Sequence, residues 1–175
     1  MTATMTRSLS ALGAIVLGVA ACGVAPARVG AEEAGSWTVY RDDRFGLSFR
    51  YPAAVLGPAG RTAGTPGDTG ILLSRDGRAR LVVSAGLRPP TETLASYRTF
   101  LLERLYAGTR ITFAPRHDDW FVLSGFRGTE IFYERVMFAC GGRMILGFAL
   151  TYPESQRDTY DRVVERGLTF DRTGA

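Results

Sequence analysis

Arg116-His117-Asp118-Asp119-Trp120 holds the only histidine in the chain, with two carboxylates directly behind it. An imidazole beside carboxylates is the raw material of a metal site or a general base. The spacing argues against both. Adjacent strand residues point to opposite faces, so three consecutive side chains converge on one ion only in a special turn. Asp118 and Asp119 are turn formers, and the segment reads as a polar turn between two short strands. Cys140 is the second candidate, as a nucleophile with His117 as its base. It stands at the foot of Gly141-Gly142, with no helix N-terminus expected nearby to favour a thiolate. Glu130 and Glu134 form the third constellation, on one face of a long strand. At ~3.3 Å per residue they lie roughly 13 Å apart, beyond the about 5–9.5 Å that glycosidase carboxylates need. They are expected where the sheet runs past a covering helix, or paired with arginines.

Other chemistries fail on composition. The chain has no lysine, and all 21 basic residues are arginine. A Schiff-base lysine, a phosphate-binding P-loop and a Ser-Lys dyad are therefore impossible within it. One histidine excludes HExxH and multi-histidine zinc sites. No Gly-x-Ser-x-Gly elbow or glycine-rich dinucleotide fingerprint occurs. The sequence thus assigns no catalytic, cofactor-binding or metal-ligating residue, and it implies no cofactor. The formal net charge is +4. The arginines are interleaved with acids rather than gathered in the stripe that nucleic acid requires, so no nucleic-acid partner is expected.

Binding surfaces offer more. Trp37, Tyr40, Phe45, Phe49, Trp120 and Tyr152 read as core. Phe126-Arg127, in the apparent turn Ser-Gly-Phe-Arg-Gly, is an aromatic beside an arginine at a loop tip, a common binding anchor. These two residues are the expected partner contact.

The N-terminus sets the compartment. Arg7 is followed by an uncharged, largely apolar run to Ala27, the pattern of an export signal. Val29-Gly30-Ala31 suits ordinary cleavage before Glu32. Val19-Ala20-Ala21-Cys22 resembles a lipobox, which makes Cys22 a lipidation candidate. An uncleaved anchor is the third route. All three place the folded part outside the cytoplasm, in the periplasm or beyond, and touch the membrane only through the N-terminus. Either cleavage route leaves Cys140 without a partner in the chain, as a free thiol or an intermolecular one.

The elements that position these residues follow from pattern. Residues 32–36 read as a linker, 37–171 as a single domain and 172–175 as a tail. Trp37 to Tyr40 and Leu47 to Tyr51 are strands about the turn RDDRFG. In the second, Leu47, Phe49 and Tyr51 alternate with Ser48 and Arg50. The Gly- and Pro-rich stretch 56–69 reads as a mobile loop. Ile71 to Ser74 and Leu81 to Gly86 flank an Asp76-Gly77 hairpin turn. Pro89-Pro90-Thr91 opens a helix whose buried face is Leu94, Tyr97, Leu101, Leu102 and Leu105, with Gly108 as its cap. Arg110 to Ala114 and Trp120 to Leu123 are strands around RHDD, and Ser124 to Gly128 is a turn. A long strand from Thr129 to Cys140 turns at Gly141-Gly142 into Met144 to Tyr152. Ser155 and Asp158 suggest a capping box on a last helix ended by Gly167, before a short strand at Leu168 to Phe170. The long strand is apolar on both faces, so both must be covered. The expected class is α+β: a mainly antiparallel sheet with a helix on each face, an α/β/α sandwich.

Phe45-Gly46-Leu47-Ser48-Phe49-Arg50-Tyr51-Pro52, the hairpin about Gly141-Gly142 and Tyr152-Pro153 before the last helix together resemble the PsbP-like fold family, over about residues 37 to 171. That family includes a photosystem II subunit, a Ran-binding import factor and small bacterial envelope lipoproteins. The resemblance implies the fold and, since members mostly bind other proteins, a non-enzymatic binding role with an envelope protein as partner. No residue matches a family functional site. The alternatives are a carrier of a small molecule or lipid in a pocket between sheet and helix, and a Cys140/His117 enzyme. An apolar pocket above ~300 Å³ favours the carrier. Cys140 and His117 within hydrogen-bond reach favour the enzyme.

Overall fold

The structure, a computed structural model, describes residues 37–42, 44–59 and 68–171. The export segment with Cys22, the linker 32–36, most of the loop 56–69 and the tail 172–175 lie outside them. Ten strands and two α-helices follow one another as β1 (Trp37–Asp42), β2 (Leu47–Pro52), β3 (Gly57–Pro58), β4 (Asp68–Leu73), β5 (Arg80–Leu87), α1 (Leu94–Arg104), β6 (Arg110–Phe113), β7 (Trp120–Arg127), β8 (Glu130–Ala139), β9 (Met144–Pro153), α2 (Arg157–Glu165) and β10 (Thr169–Asp171). A single 3-10 turn, Glu154–Gln156, leads into α2.

The α+β class holds, and the strands divide into two antiparallel sheets. The larger has the order β3-β4-β5-β9-β8-β7-β6, and the smaller is β1-β2-β10. Register shows how each strand serves two layers. Phe121 of β7, Val136 of β8, Gly147 of β9 and Ser84 of β5 lie in one row across the large sheet. That row belongs to the face under α1, where Leu94, Leu101 and Tyr106 pack on Phe121, Leu123, Phe132 and Val136. The opposite face presents Leu81, Val83, Ile131, Leu146, Phe148 and Leu150. It is covered by Phe49 and Tyr51 of β2, Phe170 of β10, and Tyr160 and Val163 of α2. Both faces of β8 and β9 are therefore covered, as the apolar side chains on each face require.

Local chemistry explains the turns. The Asp42 carboxylate accepts the Phe45 amide at 3.0 Å and closes the β1–β2 hairpin. At the β4–β5 hairpin the Ser74 hydroxyl donates to Asp76 at 2.5 Å, and Gly77 takes φ +67°. Thr93 caps α1: its hydroxyl accepts the Ser96 amide at 3.0 Å, and the Ser96 hydroxyl accepts the Thr93 amide at 2.9 Å.

Several sequence expectations need correction. The helix begins at Leu94 behind the Thr93 cap, not at Pro89-Pro90-Thr91, and Leu105 at its end is exposed rather than buried. The stretch 56–69 carries two short strand segments, because Gly57 and Pro58 pair with Leu73 and Leu72, and β4 already begins at Asp68. Ser124 to Arg127 is strand, not turn. The β7–β8 turn comes later, with Gly128 at φ +62°. The turn after β8 spans four residues, Cys140 to Arg143, since Ala139 pairs with Met144. Cys140, Gly141 and Gly142 all take positive φ there. No capping box forms on α2, whose N-cap is Gln156.

Candidate functional site

The face under α1 is filled unevenly, and that imbalance makes a site. Toward β7 and β8 it carries large side chains that meet the helix. Toward β9 and β5 the same face carries Gly147, Ala149, Thr151, Ser84 and Gly86. Small side chains cannot reach the helix, so a trough of about 510 Å³ opens between α1 and the strands. Gly147 helps keep its floor low: a β-carbon there would stand 3.0 Å from the Ser84 hydroxyl. Tyr97, Phe100, Leu101 and Leu105 form the helix wall. Phe100 and Leu105 are each 49% exposed, and Leu87 at the far end of β5 is 75% exposed, so the rim is apolar and open to solvent.

Glu134 lies at the base of this trough, only 8% exposed. It stands in the row Leu123–Glu134–Ala149–Val82. The hydroxyl of Tyr106, just beyond α1, donates a short hydrogen bond to Glu134 Oε2. Among the described residues Oε1 has no hydrogen-bond partner. Burial pushes the Glu134 carboxyl up to about 7, against the opposing pull of the Tyr106 hydrogen bond. Burial, and then the neighbouring carboxylate, pushes the Tyr106 phenol up. Tyr106 is fixed by stacking on Phe132, 4.4 Å between centroids. Its other neighbour is Arg127, whose guanidinium lies 5.7 Å from the ring and donates to the Leu105 carbonyl at 2.5 Å. Arg127 and Arg80 both line the trough. The arrangement can hold a molecule with one polar and one apolar end.

The residues singled out in the sequence fall elsewhere, with two exceptions. Glu134 and Arg127 are in the trough. Glu130 is exposed, opposite Arg127 in register. His117 is exposed and stacks on Trp120 at 4.2 Å, and its amide donates to the Trp120 carbonyl at 2.8 Å. Cys140 is a free, exposed thiol in the β8–β9 turn. Among the described residues no hydrogen bond joins it to His117, and no group of three or more His, Cys, Asp or Glu is placed to hold a metal ion. Phe126 is not at a loop tip. It is a half-buried strand residue between the guanidinium groups of Arg110 at 4.2 Å and Arg157 at 5.6 Å. Nothing in the sequence points to Tyr106. The one available clue was Glu134 itself, since an acid on an otherwise apolar strand face must find a donor.

The fold has known counterparts. Cyanobacterial PsbP (CyanoP) from Synechocystis sp. PCC 6803 superposes with a TM-score of 0.56 over 81% of this chain and 95% of that one, at 19% identity. The fold is PsbP-like. Looser matches are a protein of unknown function from Pseudomonas aeruginosa (TM-score 0.42, 14% identity, 75% of this chain and 93% of that one) and a Bacteroides thetaiotaomicron protein (0.44, 13%, 81% and 50%). No protein-family model matches the chain, and no curated protein does. At these identities the likeness is one of fold. Among the described residues of this PsbP-like chain, no helix is long and apolar enough to cross a membrane.

Proposed function

We propose that this is an exported protein that works by non-enzymatic binding, and that what it binds is a small amphipathic molecule held in the trough between α1 and the large sheet. One observation carries the reading: a trough of about 510 Å³, within the usual range for ligand sites, has an apolar open rim and a buried carboxyl group at its base. It favours the carrier over the protein partner. The expected contact residue Phe126 is packed between arginines, which leaves the protein-binding reading without its anchor. Export rests on the basic and apolar pattern of the first 31 residues.

Binding of the fluorescent apolar probe 1-N-phenylnaphthylamine tests this. The protein should bind it saturably at one site. Ala149→Phe, which fills the trough floor, should weaken that binding at least tenfold with the fold retained. Unsaturable binding, or equal binding by the variant, overturns the carrier reading. Specific crosslinking to an envelope protein would then restore the protein partner. Mass spectrometry of the same protein from its host should show a start at Glu32 or a lipidated Cys22. An intact Met1 in the cytosolic fraction overturns export.

A further inference from the structure

The trough is polar at one end and apolar at the other. Register fixes the order. Arg80 lies opposite Thr151, and Leu87 lies opposite Met144. Seven residues of β5 at ~3.3 Å each put these ends about 23 Å apart. Near the Arg80 end stand Glu134, Tyr106 and Arg127; at the Leu87 end the floor is Gly86 and Ile145. The polar end holds two guanidinium groups and one carboxyl group, with no ion pair among them. Arg80 pairs with no carboxylate among the described residues, and Arg127 spends one donor on the Leu105 carbonyl, leaving others of its fork unused. Glu134 Oε1 is likewise unpartnered there. Arg80 sits two strands over and two residues along from Glu134, so their backbones are about 12 Å apart. Both side chains line the trough, and that separation leaves room for a head group of a few bonds.

Resting on the amphiphile reading above, we infer that the trough takes a single-chain amphiphile with a zwitterionic head, its primary ammonium on Glu134 Oε1 and its acidic group between Arg80 and Arg127. A simple anion would leave Glu134 Oε1 unpaired and, once that carboxyl ionises, facing a like charge. A simple cation would face two guanidinium groups. A neutral head would satisfy neither sign. Only a head bearing both charges meets every group in the polar end, while its chain runs along Ile145 and Tyr97 toward Leu87.

Calorimetric titration with four decyl amphiphiles, each below its micelle concentration, tests the assignment. Decylphosphoethanolamine should bind at least tenfold more tightly than decyl phosphate, decylammonium or decyl maltoside. Glu134→Gln should bring the zwitterion down to the affinity of decyl phosphate. Arg80→Ala, an exposed position that should not disturb folding, should bring it down to that of decylammonium. Equal affinity for all four, or tightest binding of any of the other three, overturns the head assignment and leaves the amphiphile reading standing. Binding of none of the four overturns both.

Discussion

Glu134 is where sequence, burial and site meet. Its carboxyl ordinarily titrates near 4.5 and is raised to about 7 by burial. Between those values the native protein holds a proton that the unfolded chain has released. The unfolded state then binds fewer protons, so stability falls as pH rises. The contribution is full below about pH 4.5 and lost by about pH 7, and a shift of this size amounts to about 3 kcal/mol. Glu134→Gln cannot titrate. In urea melts from pH 4.5 to 8, the wild type should therefore lose stability relative to the variant as pH rises, most steeply between 5 and 7. Parallel curves would show an ordinary carboxyl. Asp76 does not confuse the window: the Ser74 hydroxyl and then the Arg78 amide hold it at about 2. The sequence placed Glu134 past the covering helix or beside an arginine, whereas it is buried under α1 and held by the Tyr106 hydroxyl. The sequence could not name Tyr106, 28 residues away, because nothing local couples a residue after one helix to the middle of a later strand. His117 shows the opposite: its neighbours Asp118, Asp119 and Trp120 are local, and its turn was readable.

Elements were legible where their signals are local. Asp76-Gly77 and the alternation of β2 each depend on a few adjacent residues. They failed where a glycine has a tertiary reason. Ser-Gly-Phe-Arg-Gly has turn composition, yet Gly125 is inside β7. A β-carbon on Gly125 would run into the Arg110 carbonyl and the Ile111 backbone of β6. Glycine is there to let two strands approach, which is a property of the pair and not of the segment. Gly125→Ala should therefore push β6 away. The expected loss is about 1–3 kcal/mol, the usual cost of overpacking. Amides of Arg110–Phe113 should exchange faster with solvent, while those of the β8–β9 ladder stay protected. Unchanged protection of β6 would show that the edge strand accommodates a methyl group by sliding.

At the scale of the molecule, the sequence required cover on both faces of the large sheet but did not separate β1, β2 and β10 into a layer of their own. An apolar strand reads the same whether it extends a sheet or lies across one. The separation is visible only in contacts such as Gly70, where a β-carbon would strike the Tyr40 ring of β1. What joins the layers is a run of aromatic rings. Phe49 of β2 meets Phe148 of the large sheet at 5.3 Å and Phe170 of β10 at 5.0 Å. Phe170, in the last strand, thus pins the small sheet that the first strands begin, and the covered face depends on both ends of the domain. The two tryptophans report on the two layers separately: Trp37 is in β1 and Trp120 in β7. If the layers fold as one unit, Trp37→Phe and Trp120→Phe proteins, each with one remaining fluorophore, should unfold in guanidinium at coincident midpoints once each substitution's own effect is matched by circular dichroism. Phe170→Ala should lower both midpoints together, by the shift that a stability loss of about 3–5 kcal/mol produces, as expected for emptying a buried phenylalanine site. If Trp37 fluorescence moved first while Trp120 kept its wild-type transition, the small sheet would be a separable cover, and the trough on the far face would owe nothing to it.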